Sequence, residues 1–413
     1  MTVSSMRQIL RVPPRGRSGG WLFTLGIALV LAIQPNWPDR AAIAVAGALA
    51  LTLIAAARWQ LRWLPVVVLV GCGIALRLAT FHIQGSDVSD VTKVAIMTMQ
   101  YGGDPYGVGY ITSRPVGAPF PYGPLALLWY LPSVQDPRLI EFVVSIGLML
   151  YFALRAGRGR PVGLAIFALA PPLVLATVDG SNDTSAGLLI LAALVVAARK
   201  PWAGAVILAA AVAFKPYAIA WVPPLILWAG VPTLLAFVAA SLVVWAPVLF
   251  YWGPASYLRS LTMAQDTHLR QAYWSLGSIV DAFAPGAGKA LETIRYFVSG
   301  AVAVVAGMRV KSIDGVIVVG AIVFVIAQFG GNFGSYVYLG AVAPILCWRV
   351  DDWLRRGLPE VLRAYAEVPD VAHRLRRHAV VPAGTRPISV ARPFQAPQAS
   401  RLQTSLPTQD PAA

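Results

Sequence analysis

Acidic residues are scarce in this chain. Its 413 residues hold 18 Asp and Glu against 33 Lys and Arg. Charged residues of both signs make up 12%, about half the share of a soluble domain, which excludes an ordinary water-soluble globule. The only two cysteines, Cys72 and Cys347, lie inside apolar runs without metal-ligand spacing. They read as inert buried thiols rather than a zinc or redox site. Four histidines, His82, His268, His373 and His378, form no metal-binding pattern either. No small-residue cleavage site promptly follows the first apolar run from Trp21, so that run reads as a retained span and not a removed signal peptide.

What the chain does have is apolar length. Hydrophobic residues make up 57% and the mean hydropathy is +0.67. Apolar runs follow one another with little between them, which predicts an all-α integral membrane fold, a bundle of about twelve transmembrane helices. Residues 1–20 read as a basic cytoplasmic start. Residues 21–350 read as one polytopic domain, with an extra hairpin at 21–57 ahead of a core at 63–350. Residues 351–413 read as an Arg- and Pro-rich cytoplasmic tail, amphipathic at first and then disordered. The net charge is +15. Most Arg sit at the ends of apolar runs and in the tail, where they suit anionic membrane lipids, and no nucleic-acid partner is expected. The positive-inside rule puts both termini in the cytoplasm of a multi-pass plasma-membrane protein. It leaves two long polar segments outside, one from His82 and one from Tyr251 to about Arg295. Tyr122 to Leu131, at about ten residues, is too short to span and reads as an interfacial helix.

The first outer segment, Phe81 to Pro124, carries Asp87, Asp90, Asp104, Lys93 and Arg114. A carboxylate at the polar edge of a membrane can act as general base toward a sugar hydroxyl. Asp87 and Asp90, three residues apart, would share one face of a helix. They suit helix capping as well as chemistry, and both readings stand. Asp104-Pro105-Tyr106 and Tyr122-Gly123-Pro124 are turn signatures. A second cluster, Asp179-Gly180-Ser181-Asn182-Asp183-Thr184, falls on the same predicted side. It reads either as a tight loop whose Asn182 or Asp183 caps the next helix, or as a site for sugar hydroxyls or a divalent metal. The third is Phe214-Lys215-Pro216-Tyr217. A Lys in apolar surroundings is costly, and it either snorkels to the headgroups or pairs with a phosphate. A lipid-phosphate leaving group needs a nearby cation. Lys215 is the first candidate, with Arg114, Arg259, His268 and Arg270 as alternatives.

Together these motifs resemble the GT-C-type glycosyltransferases over roughly residues 63–350. They are closest to the branch of polyprenyl-phosphate-mannose-dependent mannosyltransferases. The likeness rests on Gly85-Ser86-Asp87-Val88, Gly102-Gly103-Asp104-Pro105-Tyr106, Pro121-Tyr122-Gly123-Pro124-Leu125, Gly180-Ser181-Asn182-Asp183 and Phe214-Lys215-Pro216-Tyr217, in that order. Two spans precede the core here, and Asp104 stands where Asn is commoner. The resemblance implies a GT-C-like bundle with its active site on the outer face. It implies inverting transfer of a sugar, with mannose favoured, from a polyprenyl-phosphate donor to a lipid or glycan acceptor. By the same likeness Asp87 is the general base and Asp90 the second choice. Asp104, Tyr106, Tyr122, Asp179, Asn182, Asp183 and Tyr217 are then the substrate-binding set. The resemblance leaves a divalent metal open as the one cofactor, because some such enzymes use one and others do not. Asp179 and Asp183 would be its only further ligands. A transporter or lipid flippase, or an inactive scaffold of the same fold, is the alternative. Acids at the outer edge and the lack of a clear inverted repeat weigh against transport.

Overall fold

A computed structural model describes residues 19–32, 39–59, 63–83, 85–156, 161–270 and 275–356. Seventeen α-helices form this part of the chain. The first three are α1 (Gly19–Ala32), α2 (Asp39–Trp59) and α3 (Leu64–Thr80). The first outer segment begins with α4 (Asp87–Gln100) and ends in the short α5 (Pro124–Tyr130). Then come α6 (Arg138–Ala156), α7 (Val162–Leu169), α8 (Pro171–Val178), α9 (Asp183–Ala197) and α10 (Pro201–Phe214). A 3-10 turn, Pro216–Trp221, leads into α11 (Val222–Ala229) and α12 (Val231–Tyr251). The second outer segment holds α13 (Pro254–Arg270) and α14 (Leu276–Phe283). The last three are α15 (Ala287–Gly307), α16 (Ile313–Phe329) and α17 (Leu339–Arg356).

The all-α prediction holds, but the count of about twelve spans does not. Among the described residues, two helices are long and apolar enough to cross a membrane: α12 and α15, each of 21 residues. Two sharply bent pairs raise the number to four if each is one broken span. One joins Pro124–Ser133 to α6 at 95°, and the other joins α8 to α9 at 109°. These helices point to association with a membrane. The overcount has a chemical cause. Hydropathy follows apolar side chains through a proline, whereas the helix does not. The apolar run at 161–177 breaks at Ala170, whose extended backbone precedes Pro171. The run at 217–229 starts as a 3-10 turn at Pro216. At 15, 14 and 8 residues, α9, α10 and α11 fall short of the roughly 20 that a span needs. The second outer segment, expected to be a loop, is mostly helix. It runs into α15, which begins at Ala287 and continues without a break to Gly307. The basic start and the tail beyond Arg356 lie outside the described residues.

The main core is built from small and aliphatic residues of α3, α6, α7, α9, α10, α16 and α17. A second cluster lies under the first outer segment, where Val91, Ala95, Tyr106, Phe120, Tyr130 and Phe214 are buried together. At the opposite, basic chain ends, Arg349 bonds Asp314 at 2.7 Å, Arg356 bonds Asp314 at 2.9 Å, and Arg355 pairs with Asp352. The two bonds to Asp314 tie α17 to α16, while the Arg355–Asp352 pair lies within α17.

Close packing of α9 on α17 depends on Gly187. A Cβ there would stand 2.5 Å from the Gly340 carbonyl oxygen and 2.9 Å from Pro344. Gly187→Ala is therefore expected to cost about 1–3 kcal/mol by overpacking. A lower thermal midpoint of the detergent-solubilised protein would register it.

Candidate active site

The chain enters α4 through Ser86, which is its N-cap residue but makes no side-chain capping bond. Asp87 is the first helical residue. Its Oδ2 accepts a 2.7 Å bond from the backbone N–H of Arg114. That bond closes the first outer segment on itself. Between them, Tyr110 N–H donates to Ala118 O at 3.0 Å, and Gly117 N–H donates to Tyr110 O at 2.9 Å. Arg114 stands near the tip of this hairpin-like turn. The segment is fastened to the second cluster by Ser86 N–H, which donates to Asp179 O at 2.6 Å.

Asp179 lies in the turn between α8 and α9. Its Oδ1 accepts from Ser181 N–H at 2.9 Å. Asn182 then takes a left-handed backbone conformation, φ 60°, as N-cap of α9. Asn182 is 1% exposed, and neither polar atom of its amide has a partner. Asp183 is fully buried and its Oδ1 meets Lys215 Nζ at 2.8 Å. Tyr217 donates to the same oxygen at 2.5 Å. The Lys215 ammonium also donates to Ser181 O at 3.0 Å. It sits 5.2, 5.1 and 5.9 Å from the ring centres of Tyr122, Tyr217 and Tyr338. The apolar surroundings of this Lys are thus answered by one carboxylate, one carbonyl and three aromatic faces. Beneath the pair, buried Glu141 accepts from Tyr130 at 2.5 Å and from Ser185 N–H at 3.0 Å.

These groups meet in one cavity of about 690 Å3. Asp87, Arg114, Tyr122, Asp179, Asp183 and Lys215 all line it, although 128 positions separate the first from the last. The other candidates lie elsewhere. Asp90 opens on a different cavity, with Lys93 and Arg138. The shared face expected from its spacing is not used, because α4 stands as a partition. Asp87, Val88 and Val91 look into the first cavity, while Ser89, Asp90 and Lys93 look into the second. At about 100° per residue those two triplets lie on opposite faces. Asp104 serves a turn and a clamp. It accepts from Tyr106 N–H at 2.8 Å and from Ser256 of α13. Tyr106 is buried among Phe120, Trp252 and Tyr257 and does not line the cavity. Tyr217 stands behind Lys215, against Phe324. Arg259 is exposed on α13, outside the lining. The side chains of His268 and Arg270 lie outside the described residues.

Sequence reasoning missed the far wall, formed by Phe333, Ser335 and Tyr336–Tyr338 with Ala264 and Thr267 of α13. It carries no charge. Its one legible signal was Gly330-Gly331-Asn332, a polar break between apolar runs. Also missed was the buried Glu292–Arg295 pair that supports this wall. Glu292 Oε2 accepts from Asn332 N–H at 2.8 Å, and Oε1 accepts from Gln265 of α13 at 3.2 Å. Gly331 is needed there, since a Cβ would fall 2.1 Å from Glu292 Oε2. Among the described residues no group of three His, Cys, Asp or Glu side chains is placed to hold a metal ion. Asp183 is already engaged by Lys215. No protein-family model matches the chain, and comparisons with curated proteins and with solved structures likewise find no match.

Burial pushes the Asp179 carboxyl up to about 7, aided by nearby Asp183 and Glu141 and opposed by the Ser181 N–H. Its ionised form is thus disfavoured in the folded state. The resulting penalty is full above pH 7 and fades as pH falls toward the ordinary carboxylate range. The stability of Asp179→Asn relative to wild type should therefore rise between about pH 4 and pH 7 and level off above. Paired thermal scans at several pH values would measure it, and parallel curves would contradict it. Lys215→Met, which leaves Asp183 buried without its cation, should cost about 3–5 kcal/mol, and adding Asp183→Asn should recover part of that loss. Denaturation of the single and double variants would check the coupling.

Proposed function

We propose that this chain is a GT-C-type membrane glycosyltransferase. It would move a sugar from a polyprenyl-phosphate donor to a lipid or glycan acceptor at the outer face of the membrane. The observation that carries this reading is the orientation of Asp87. The Arg114 amide holds Oδ2, while Oδ1 remains for an incoming hydroxyl at the wall of a cavity large enough for a sugar. The acceptor oxygen attacks the anomeric carbon as the bond from that carbon to the phosphate oxygen breaks. The hydroxyl proton passes to Asp87, and the electron pair leaves with the phosphate.

Negative charge gathers on the departing phosphate, so a cation must stand opposite the base. Arg114 suits this role. Its side chain is exposed at the cavity rim and its guanidinium makes no hydrogen bond or ion pair among the described residues. Lys215 is already neutralised by Asp183. Its part is to fix the floor and lend residual positive potential. With Asp183 and Lys215 paired to each other and burial disfavouring ionisation of Asp179, the open wall offers the Asp87 carboxylate and the Arg114 guanidinium to a phosphodiester.

Asp87→Asn should lower transfer by about a hundredfold or more while the protein stays folded. Arg114→Ala should chiefly weaken donor use. Both are read from labelled-sugar transfer in membranes supplied with a panel of polyprenyl-phosphate sugars. Wild-type turnover by Asp87→Asn would remove Asp87 as base. Absence of transfer by the wild type from every donor would remove the enzyme reading.

A further inference from the structure

On the opposite face of α4 from Asp87 lies a second cavity, of about 470 Å3. It shares no lining residue with the first, and the start of α4 stands between them. Consecutive Gly85 and Ser86 line one each. Its floor is rigid. Arg138 grips Asp136 through two 2.9 Å bonds, lies 4.7 Å from the Phe81 ring centre, and packs against Gly85 and Gly180. Around that floor stand polar groups that make no hydrogen bond or ion pair among the described residues. They are the Asp90 carboxylate, which faces Arg138 without bonding it, the Lys93 ammonium, the His82 imidazole and the Gln135 amide.

The charges decide what such a cavity can take. Lys93 and Arg138 balance Asp90 and Asp136, and His82 adds an imidazole beside them, so the lining has no strong excess of either sign. An isolated phosphate would find one free cation and one free carboxylate there, and would gain little. An apolar tail would bury polar groups without partners. A neutral, hydroxyl-rich ligand satisfies both free charges and the amide at once, since each hydroxyl both donates and accepts. The volume lies within the range of small-molecule sites.

We propose that this second cavity is a glycan subsite. It holds sugar units of the acceptor remote from the hydroxyl that reacts at Asp87. This rests on the glycosyltransferase reading for its role in turnover, but not for binding itself. The subsite favours longer acceptors, because only they reach past the start of α4 into both cavities.

The test measures binding and turnover separately on the purified full-length protein. Binding is read by ligand-observed NMR with linear gluco- and manno-oligosaccharides and with the corresponding monosaccharides. Asp90→Asn combined with Gln135→Ala should weaken oligosaccharide binding about tenfold or more, since a charge-assisted contact is lost. Asp87→Asn should leave that binding in place. In turnover, the same double variant should raise KM for an extended acceptor and leave KM for a minimal acceptor unchanged. Oligosaccharide binding that survives the double variant, or that is lost only in Asp87→Asn, overturns the subsite. So does failure of the wild type to bind any oligosaccharide. Retention of inorganic phosphate that is lost in Lys93→Met would make the cavity an anion site and would also overturn it. If binding follows the expected pattern but no donor supports transfer, the subsite stands and the glycosyltransferase reading falls. If transfer proceeds and extended acceptors ignore the double variant, the reverse holds.

Discussion

The ion pair between Lys215 and Asp183 is the constraint around which the candidate site is arranged. Both side chains are withdrawn from water, and neither charge is tolerable there without the other. The pair fixes the start of α9 against the end of α10, since Lys215 closes α10 just before Pro216 turns the chain. Lys215 also holds the Ser181 carbonyl. Ser181 in turn belongs to the turn whose Asp179 carbonyl receives Ser86 N–H. The first outer segment, and Asp87 with it, is therefore registered against an ion pair formed elsewhere in the chain. Three tyrosine rings complete the enclosure. They give the ammonium electrostatic support that water would otherwise provide.

Such an arrangement separates charge that organises from charge that is left to act. Asp183 and Lys215 satisfy one another. Asp104 is consumed by the Tyr106 amide and Ser256, and Asp136 by Arg138. What remains open toward the first cavity is Asp87 and Arg114. In a chain with so few acids, this division gives a carboxylate without an ion-pair partner more meaning than it would have on a soluble surface.

Much of the site was legible in the sequence, because a polar residue in an apolar chain is conspicuous. Asp87, Arg114, Tyr122, Asp179, Asp183 and Lys215 were all singled out by that contrast, and they share one cavity. Their division of labour was not legible. Spacing of three put Asp87 and Asp90 on one helical face, but which residues a helix turns to which neighbour depends on what packs around it. Only the Asp136–Arg138 floor and the Asp179 turn make α4 a partition. The uncharged wall at Phe333–Tyr338 gave almost no signal. The helical fold class followed from composition alone. The number of spans did not, because one apolar run continues through Ala170-Pro171 where the helix stops, and the runs on either side of Pro216 form helices too short to cross a membrane.

Glu292 joins the two parts of the cavity wall that carry no charge of their own. One of its oxygens receives Gln265 of α13 and the other receives the backbone of Asn332. Arg295, one helical turn away, is anchored in turn to the Ala327 carbonyl at 2.6 Å. Both wall segments thus bond to a single carboxylate set in α15, one of the two helices among the described residues that are long and apolar enough to cross a membrane. Each has a second anchor: α13 is clamped to the Asp104 turn through Ser256, and the Asn332 turn to α14 through Ser275. The uncharged wall is therefore cross-braced to three neighbouring elements, and loss of the Glu292 carboxylate would strip one brace from both of its segments at once.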